Sequence, residues 1–540
     1  TYYTLDGTIP TQESNIYDSP IPITSTTVVR ARSFLDDWVP SDIETKTIIV
    51  GLDIDNNIPK IFLTTDPGSF FDQDTGIYVF GSNAGWSFPY FGANFWEDWE
   101  RRIHFEILDV DGSGYDADAA VKIFGGWSRA LPQKSLSFFS RGYIGASSFD
   151  YPIFPDQDID SYEAFVLRNS GQDWERTMLK DGFITTLTNE LDIDHQAYRP
   201  AVLYLNGEFW GIQNFREKIN EHFLSAHHSV PTEHIDLLDM GGTNNNNMVH
   251  GTNTDYKALL DYIRNHDMTD PIVQNALENW IDIKSFMNYY GFQIWLANWD
   301  WPQNNIKYWR DHRVGGKWRW IIYDTDFGFD DVNDNKLGSL LQPNSGLTSN
   351  KYIFRRLMEN DHFRNSFINI YSDMLNTVLQ PDYISHTLDS LANHIASVIP
   401  AHRDRWYNYS PNSATTWLND VYSLKDFGDN RRSYAIAHLM EEFGLPDTAQ
   451  ITVNIVPEGS GSIQLNTLEI TESNWQGHYF PTVPIDVEAM QNDGFIFSHW
   501  LEYPDSNIAM SIAVTDSSSL TAVFVESQLT PGDVVINEIN

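Results

Sequence analysis

The chain has 540 residues, of which 14% are aromatic and only 20% are charged, so it is long enough for several domains and globular in composition. Its 74 acidic residues against 34 Lys and Arg give a formal charge of −40, which argues against nucleic acid or an anionic membrane surface as the main partner. Zero Cys excludes disulfides and thiolate metal sites.

Residues 1–55 are rich in Thr, Ile and Val, with turn signals in LDGTIP and DDWVPSD, and predict a small β module. The string YYTLDGTIPTQESNIYDSPIPITSTTVVRARSF resembles the C-terminal β module of chitobiase and hexosaminidase enzymes. This resemblance implies a spacer or a binding module with no catalytic role.

The region from 58 to about 220 is predicted to be mostly strands. Residues 119–124, the turn in GGWSRALPQ and the run KSLSFFSR predict a strand, a turn and a strand. Apolar residues then recur at helical spacing from Leu179 to Leu191. Asn206-Gly207 lies between two apolar runs, which strongly indicates a hairpin. We expect a β-rich half that contains one helix.

From Tyr256 the sequence predicts helices, which continue to about Phe443. A short insert interrupts them: the loop NWDWPQNN, the strand IKYW, a turn at RVGGK, and the strand WRWIIY ahead of Asp324. This is the element order of a bilobal protein kinase. The predicted fold class is therefore α+β, with an atypical kinase-like core built from a β-rich lobe (58–220) and a helical lobe (221–445).

The insert carries the residues that phosphoryl transfer needs. In kinases a loop Asp orients the substrate hydroxyl, an Asn five residues later binds metal, and an Asp after the next hairpin binds metal. Asp300 and Asn305 have this spacing, and Asp324 follows the second strand. Carboxylate and amide oxygens suit Mg²⁺ or Mn²⁺. We predict Asp300 as catalytic and Asn305 and Asp324 as metal ligands, with Asp326 behind Asp324 or at a second metal. Asn305 should face the metal, and Asn304 should not.

A cation for the nucleotide is expected in the β-rich half. Side chains alternate between the two faces of a strand, so Lys134 should share a face with the apolar Leu136 and Phe138. It should therefore point to the covered face of its sheet and need a partner there. We predict that it holds ATP phosphates, the alternative being a buried ion pair. The predicted ATP-binding group is Lys134, Arg129, Ser128 and Glu217. Arg168 is expected to pair with an acid of GQDWE.

Five ordered strings resemble the CotH kinase family, the atypical secreted or surface-associated kinases named for spore-coat protein H. They are KIFGGWSRALPQKSLSFFSR, FVLRNSGQDWERTMLKDGF, RPAVLYLNGEFWGIQNFREKI, NWDWPQNNIKYWR and WRWIIYDTDFGF, within residues 58–445. The resemblance implies a kinase-like fold that binds ATP and a divalent metal and phosphorylates Ser or Thr of a protein. It also implies Lys134 as the ATP lysine, Asp300 as the catalytic Asp, and Asn305 and Asp324 as metal ligands. The pattern departs at Trp299, which stands where kinases usually have Arg.

Residues 449–527 alternate again as strands, and NDGFIFSHW with LTAVF is similar to bacterial extracellular repeat modules. The closing GDVVINEIN, within 528–540, resembles the first strand of a lamin-tail-like domain. These flanking pieces predict a secreted bacterial protein, extracellular or on the cell surface, of which this chain is a fragment. No apolar run approaches the roughly 20 residues of a membrane span.

Two alternatives stay open. The acidic runs DVDGSGYD at Asp109 and DFGFDDVNDNK from Asp326 to Lys336 are expected to be a hairpin turn and a solvated loop, with Ca²⁺ binding as the alternative.

The expected partner is a protein substrate, for example on a surface or in a matrix. The alternative function is a catalytically silent kinase-like adhesion protein whose β modules contact glycan.

Overall fold

The computed structural model describes residues 1–51, 57–241, 245–343, 349–409, 414–504, 506–515 and 518–527. It is an α+β protein, as predicted, with a four-stranded sheet, a closed seven-stranded barrel, a helical lobe carrying a five-stranded sheet, and a final pair of four-stranded sheets. None of the helices in these ranges is long and apolar enough to cross a membrane. The predicted start of a lamin-tail-like domain, 528–540, lies outside the described residues.

The N-terminal sheet rests on the barrel. Its strands are Tyr2–Thr4, Asn15–Ile16, Thr27–Arg32 and Glu44–Ile48. The backbone N–H of Thr47 donates to the Glu106 carboxylate at 2.7 Å, and Lys46 pairs with the same carboxylate at 2.5 Å. Gly7 lies so close to the Asn206 side chain that an added Cβ would overlap it. The module is therefore joined to the barrel by specific contacts.

The β-rich half closes into a barrel. Its strands are Lys60–Thr64, Arg101–Leu108, Gly114–Phe124, Ser135–Phe139, Ala164–Arg168, Tyr198–Leu205 and Glu208–Glu217. The strands pair antiparallel except for the first and sixth in this order, which run parallel. Phe138 and Phe165 stack inside with centroids 4.5 Å apart. Asn206 and Gly207 form the predicted hairpin turn, with positive φ at both residues.

Alternation along these strands divides the barrel residues into inner and outer sets. The register pairs Lys122 with Ser137, Ser137 with Val166, and Val166 with Arg216, and these four share the outer side. The helix Lys180–Thr186 packs over part of this side and is shorter than the predicted 179–191. Minor elements of this half are Pro67–Phe71, Asn94–Trp96, Trp127–Ala130, Phe149–Asp150, Ser161–Tyr162 and Gly171–Asp173.

The helical lobe surrounds one buried helix, Ile283–Leu296. The others are Glu221–His228, Thr232–His234, Thr254–Asn265, Pro271–Trp280, Lys336–Leu341, Ser349–Leu357, Asp361–Asn376, Pro381–Ile395, Ile399–Arg405 and Ala414–Phe443. The five-stranded sheet is formed by Asp194–His195, Ile235–Gly241, Asn245–His250, Ile306–Asp311 and Arg319–Ile322. The last two strands are the predicted pair of the insert, with Tyr308 opposite Trp320.

The C-terminal module forms a core of its own from alternating strands, as predicted. Its strands are Ala449–Val456, Gly461–Leu465, Leu468–Ile470, Trp475–Tyr479, Ile485–Gln491, Phe495–Trp500, Ala509–Ile512 and Ser518–Glu526. Ile451, Trp500 and Phe524 are buried in that core. The module contacts the helix Asp361–Asn376 through Asn369, which donates to the Pro484 carbonyl at 2.8 Å.

Candidate active site

Asp300 lies in the loop that follows the buried helix Ile283–Leu296. Its two carboxylate oxygens each accept one amide bond, from Asn304 at 2.7 Å and from Asn305 at 3.0 Å. Partial burial and the nearby charge of Asp324 raise the pKa of Asp300, and the hydrogen bonds from the two amides oppose the rise. The carboxylate is thus held in one orientation and has an increased affinity for a proton.

Asp324 reaches the same place from the strand Arg319–Ile322. The Asn305 amide is 3.4 Å from the Asp324 carbonyl oxygen, so the two segments of the insert meet at this point. Asn305 and Asp324 both have positive φ, 58° and 54°, a conformation that Asn and Asp adopt more readily than most residues. The structure therefore brings Asp300, Asn305 and Asp324 together. Asn304 contacts Asp300, and no contact with Asp324 is found for it among the described residues.

Arg168 connects this loop to the barrel. Its guanidinium donates to Asp324 at 2.5 Å and to Asp326 at 3.1 Å, and lies 3.7 Å from Asp181. Burial alone would lower the pKa of Arg168, but these three carboxylates raise it. The predicted pairing with an acid of GQDWE is wrong, because Asp173 accepts from the backbone of its own turn.

Asp326 is buried against the barrel end. One of its oxygens accepts from the Gln172 backbone N–H at 2.9 Å as well as from Arg168. An added Cβ at Gly171 would overlap this oxygen, so the close approach requires Gly there. Burial and the charge of Asp324 raise the pKa of Asp326 to about 8, against the effect of Arg168.

Asp181, at the start of the helix Lys180–Thr186, was missed by sequence reasoning. It accepts from the Thr325 backbone N–H at 2.8 Å and pairs with Arg216 at 3.2 Å. Burial would raise the pKa of Asp181, but Arg216 and Arg168 lower it to about 2. Asp181 occurs in one of the family-like strings, and that string was the available signal. The residue fixes the loop between Asp324 and Asp326 to the barrel.

The oxygen atoms of this group fit a hard divalent cation. Among the described residues, no donor bonds the side-chain oxygen of Asn305, the second oxygen of Asp324 or the second oxygen of Asp326. An amide and two carboxylates are ligands that Mg²⁺ or Mn²⁺ accepts together with water. The described ranges contain no cluster of three or more His, Asp or Glu that could hold a metal unaided. A cation here would therefore depend on the amide and on water.

Lys134 is buried, as the alternation along its strand predicts, but its ammonium donates to residues that are close to it in the chain. Its ammonium donates to the carbonyls of Arg129 at 2.7 Å and Leu131 at 3.0 Å and lies 3.9 Å from the Phe95 ring centroid. Burial lowers the pKa of Lys134 to about 7. Within the described part of the chain no carboxylate lies within 4 Å of this ammonium, so the buried ion pair is not found.

The remaining residues of the predicted ATP-binding group also lie apart from Asp324. Arg129 donates to the Gly125 carbonyl at 2.5 Å and packs over the Trp96 ring. Ser128 lies in the same turn, beside Gly125. Glu217 pairs with His227 at 2.6 Å. The contacts described for these side chains include neither Asp300 nor Asp324, and their roles stay predictions.

The acidic loops considered for Ca²⁺ hold protein partners. Asp109 pairs with Arg199 at 2.5 Å and accepts from Tyr151 at 2.8 Å, in the hairpin between Arg101–Leu108 and Gly114–Phe124. In the second loop Asp330 pairs with Lys180 at 3.1 Å. The first loop is a hairpin turn, as expected.

Comparison with known families agrees with this arrangement. A family model described as CotH kinase protein matches residues 121–435, and one described as Chitobiase/beta-hexosaminidase C-terminal domain matches residues 1–45. No curated protein matches the chain. The first match spans more than half of the 540 residues and includes Asp300, Asn305, Asp324 and Arg168. The chain belongs to the CotH kinase protein family.

Proposed function

We propose that the protein is a CotH-type kinase that transfers the γ-phosphate of ATP to a Ser or Thr hydroxyl of a protein. The observation that carries the proposal is the position of Asp300. Its carboxylate is held by two amides beside Asp324, in the order and spacing that phosphoryl transfer uses. The family match supports kinase chemistry in general, and Ser or Thr specificity is the finer proposal.

Asp300 acts on the nucleophile. Its oriented carboxylate accepts a hydrogen bond from the substrate hydroxyl and takes the proton as the oxygen attacks the γ-phosphorus. The bond from the γ-phosphorus to its bridging oxygen breaks, and ADP leaves. The raised pKa of Asp300 favours proton acceptance.

Asn305 and Asp324 would hold Mg²⁺ or Mn²⁺, with Asp326 behind them. When bound there, such an ion would offset the phosphate charge that builds up during transfer. Arg168 keeps Asp324 and Asp326 oriented and limits the repulsion between them. Asp181 anchors the loop through Thr325.

The test measures incorporation of phosphate from ATP into the protein itself and into casein, with Mg²⁺ or Mn²⁺. Asp300→Ala and Asp324→Ala are expected to lower the rate about 1,000-fold while far-UV spectra and melting temperature change little. Asp331→Ala, in an exposed part of the loop, is the matched control and should keep the activity. Full activity in either site variant contradicts the proposed roles.

A second candidate is a catalytically silent adhesion protein at the bacterial surface. The match of residues 1–45 to a module of carbohydrate-active enzymes favours it. The adhesion function predicts that the whole chain binds glycan and transfers no phosphate, whichever metal ion is added. We propose a secreted or cell-surface location under both functions, with a surface or matrix protein as the kinase substrate.

A further inference from the structure

Lys218 lies on the outer side of the barrel, which sequence reasoning did not consider for a ligand. It follows the strand Glu208–Glu217 two residues after the outward-facing Arg216. Its ammonium lies 5.0 Å from the ring centroid of Phe124 and 5.8 Å from that of Phe139. These two rings and Lys218 form a patch on the barrel wall, which we call the Lys218 patch.

No acid neutralises Lys218 within the part of the chain that the structure describes. Its ammonium has no carboxylate within 4 Å and no hydrogen bond there. Two other lysines in its vicinity do have partners, since Lys122 donates to Asp98 at 2.8 Å and Lys307 to Asp239 at 2.5 Å. An uncompensated, largely buried cation is unexpected in a chain of net charge −40.

The electrostatic surroundings of Lys218 are positive. Burial and, to a smaller extent, the charges of Lys307, Lys122 and Arg129 together lower the pKa of Lys218 to about 8. The ring contacts compensate only in part, because a cation over an aromatic face gains roughly 0.5–2 kcal/mol. The Lys218 patch is thus a place where an anion would be stabilised.

Lys218 also lines a cavity whose two acids are already paired. Lys218 lines a cavity of about 250 Å³ together with Glu163 and Glu217. His222 pairs with Glu163 at 2.8 Å, and His227 pairs with Glu217 at 2.6 Å. Neither carboxylate contacts the Lys218 ammonium, so neither occupies the position of an anionic ligand.

One of these cations, Lys307, lies close to the candidate active site. Lys307 stands two residues after Asn305, and its ammonium lies 4.7 Å from the ring centroid of Tyr323, the residue before Asp324. Lys307 is also the charge that acts most strongly on Lys218. Lys307 therefore lies near both the Lys218 patch and the strands that precede and follow the candidate active-site residues.

We propose that Lys218 binds the phosphate chain of a nucleoside triphosphate, that Lys122 and Lys307, each paired with an Asp, add positive charge nearby, and that Phe124 and Phe139 form an apolar wall for the nucleoside. Lysine ammonium groups bind phosphate as point charges. Lys218 can turn from the rings to a phosphate, whereas the Lys134 ammonium is engaged by two backbone carbonyls. The nucleotide assignment rests on the proposed function; the anion site itself does not.

The experiment measures binding by calorimetry to the full chain, using ATP with Mn²⁺, inorganic tripolyphosphate and adenosine as three separate probes. Lys218→Met is expected to weaken ATP and tripolyphosphate at least 10-fold and to leave adenosine within twofold. Lys218→Arg, which keeps the charge, should bind ATP within about threefold of the wild type. Lys425→Met, on the helix Ala414–Phe443, is the control and should match the wild type.

Unchanged ATP and tripolyphosphate affinity in Lys218→Met overturns the proposal, as does a wild-type protein that binds neither compound. A stronger loss in Lys134→Met than in Lys218→Met, at equal melting temperature, overturns it in favour of Lys134. ATP binding that depends on Lys218 without phosphate transfer supports the site and contradicts only the kinase proposal. If Lys218→Met fails to fold, Lys218→Gln and the adenosine control decide the question in the same way.

Discussion

The candidate active site and the junction with the C-terminal module both bury a carboxylate, and they differ in how many carboxylate oxygens accept hydrogen bonds. In the candidate active site, Asp324 and Asp326 share the guanidinium of Arg168, and one oxygen of each accepts nothing from the described residues. At the junction with the C-terminal module, Asp373 lies on the helix Asp361–Asn376. Its carboxylate accepts four hydrogen bonds from the module.

The junction is built around a hairpin tip of the module. Thr467 donates its backbone N–H at 2.9 Å and its hydroxyl at 2.6 Å to one oxygen of Asp373. Asn466 at 3.2 Å and Tyr479 at 2.8 Å donate to the other oxygen. Burial raises the pKa of Asp373 to about 6, and these bonds oppose the rise. We call this group the Asp373 clamp.

The number of hydrogen bonds that the carboxylate accepts distinguishes the structural acid Asp373 from the acids of the candidate active site. Both regions bury acids and raise their pKa, so burial alone does not identify a site. In the Asp373 clamp the two oxygens are saturated by donors of the protein itself. In the candidate active site, one oxygen of each carboxylate accepts nothing from the described residues, and leaving a buried oxygen without a partner is costly unless a ligand binds.

The largest expected effect is that of Arg168→Leu. Asp324 and Asp326 lose the guanidinium that bonds both of them, and breaking a buried ion pair costs about 3–5 kcal/mol. We expect the free energy of unfolding, measured with denaturant, to fall by about 4 kcal/mol. Arg313→Leu removes an exposed pair with Asp311 and should change it by less than about 1 kcal/mol. Equal effects of the two variants would contradict the structural account of the site.

Asp373→Ala tests the clamp. It leaves the buried donors of Asn466, Thr467 and Tyr479 without an acceptor, which predicts a loss of about 3 kcal/mol. Limited proteolysis should then release the C-terminal module more readily, while phosphate transfer is kept. Asp361→Ala, at the exposed start of the same helix, is the control and should cost less than about 1 kcal/mol.

The clamp also predicts a dependence of stability on pH. Because the pKa of Asp373 is about 6 in the folded protein and 3.8 ordinarily, the folded state binds more protons between these values. Its contribution to stability is therefore complete below pH 4 and falls, by up to about 3 kcal/mol, as pH rises to 6. The test measures the free energy of unfolding of the wild type and of Asp373→Asn from pH 4 to 7. The difference between the two proteins should decrease as pH rises, and a difference that does not change with pH would refute the prediction.

The smallest expected effect distinguishes the two asparagines. Asn304 and Asn305 each donate one bond to Asp300, but the Asn305 amide also approaches the Asp324 carbonyl. We expect Asn305→Ala to lower kcat/KM for phosphate transfer about 100-fold and Asn304→Ala no more than about 10-fold. An equal loss in both variants would show that Asn305 does no more than position Asp300.

Local patterns in the sequence were sufficient for most of the elements. The Asn206-Gly207 hairpin, the strands of the insert and the helices after Tyr256 are where the sequence predicts them, since each depends on residues close in the chain. Closure of the barrel was not predictable in this way. It pairs Lys60–Thr64 with Tyr198–Leu205, about 140 residues apart, and their alternation does not identify the partner.

The end of one barrel strand shows what the sequence alone could not predict. The strand Glu208–Glu217 ends with Glu217 opposite the inward-facing Phe165. The alternation therefore turns Glu217 away from the outer side and gives that side to Lys218. A shift of one residue exchanges an acid for a lysine, and no local pattern indicates which of them lies on the outer side.

By itself, the sequence determined the α+β class, the family and the spacing of Asp300, Asn305 and Asp324, because these depend on short-range patterns and ordered strings. Only the tertiary structure decided which charges meet. Arg168 bonds an acid 156 residues away, Asp373 is saturated by another module, and Lys218 has no acid within reach in the described chain. Pairing of buried charges is settled by the three-dimensional packing that removes water from them, and spacing along the chain does not record that packing.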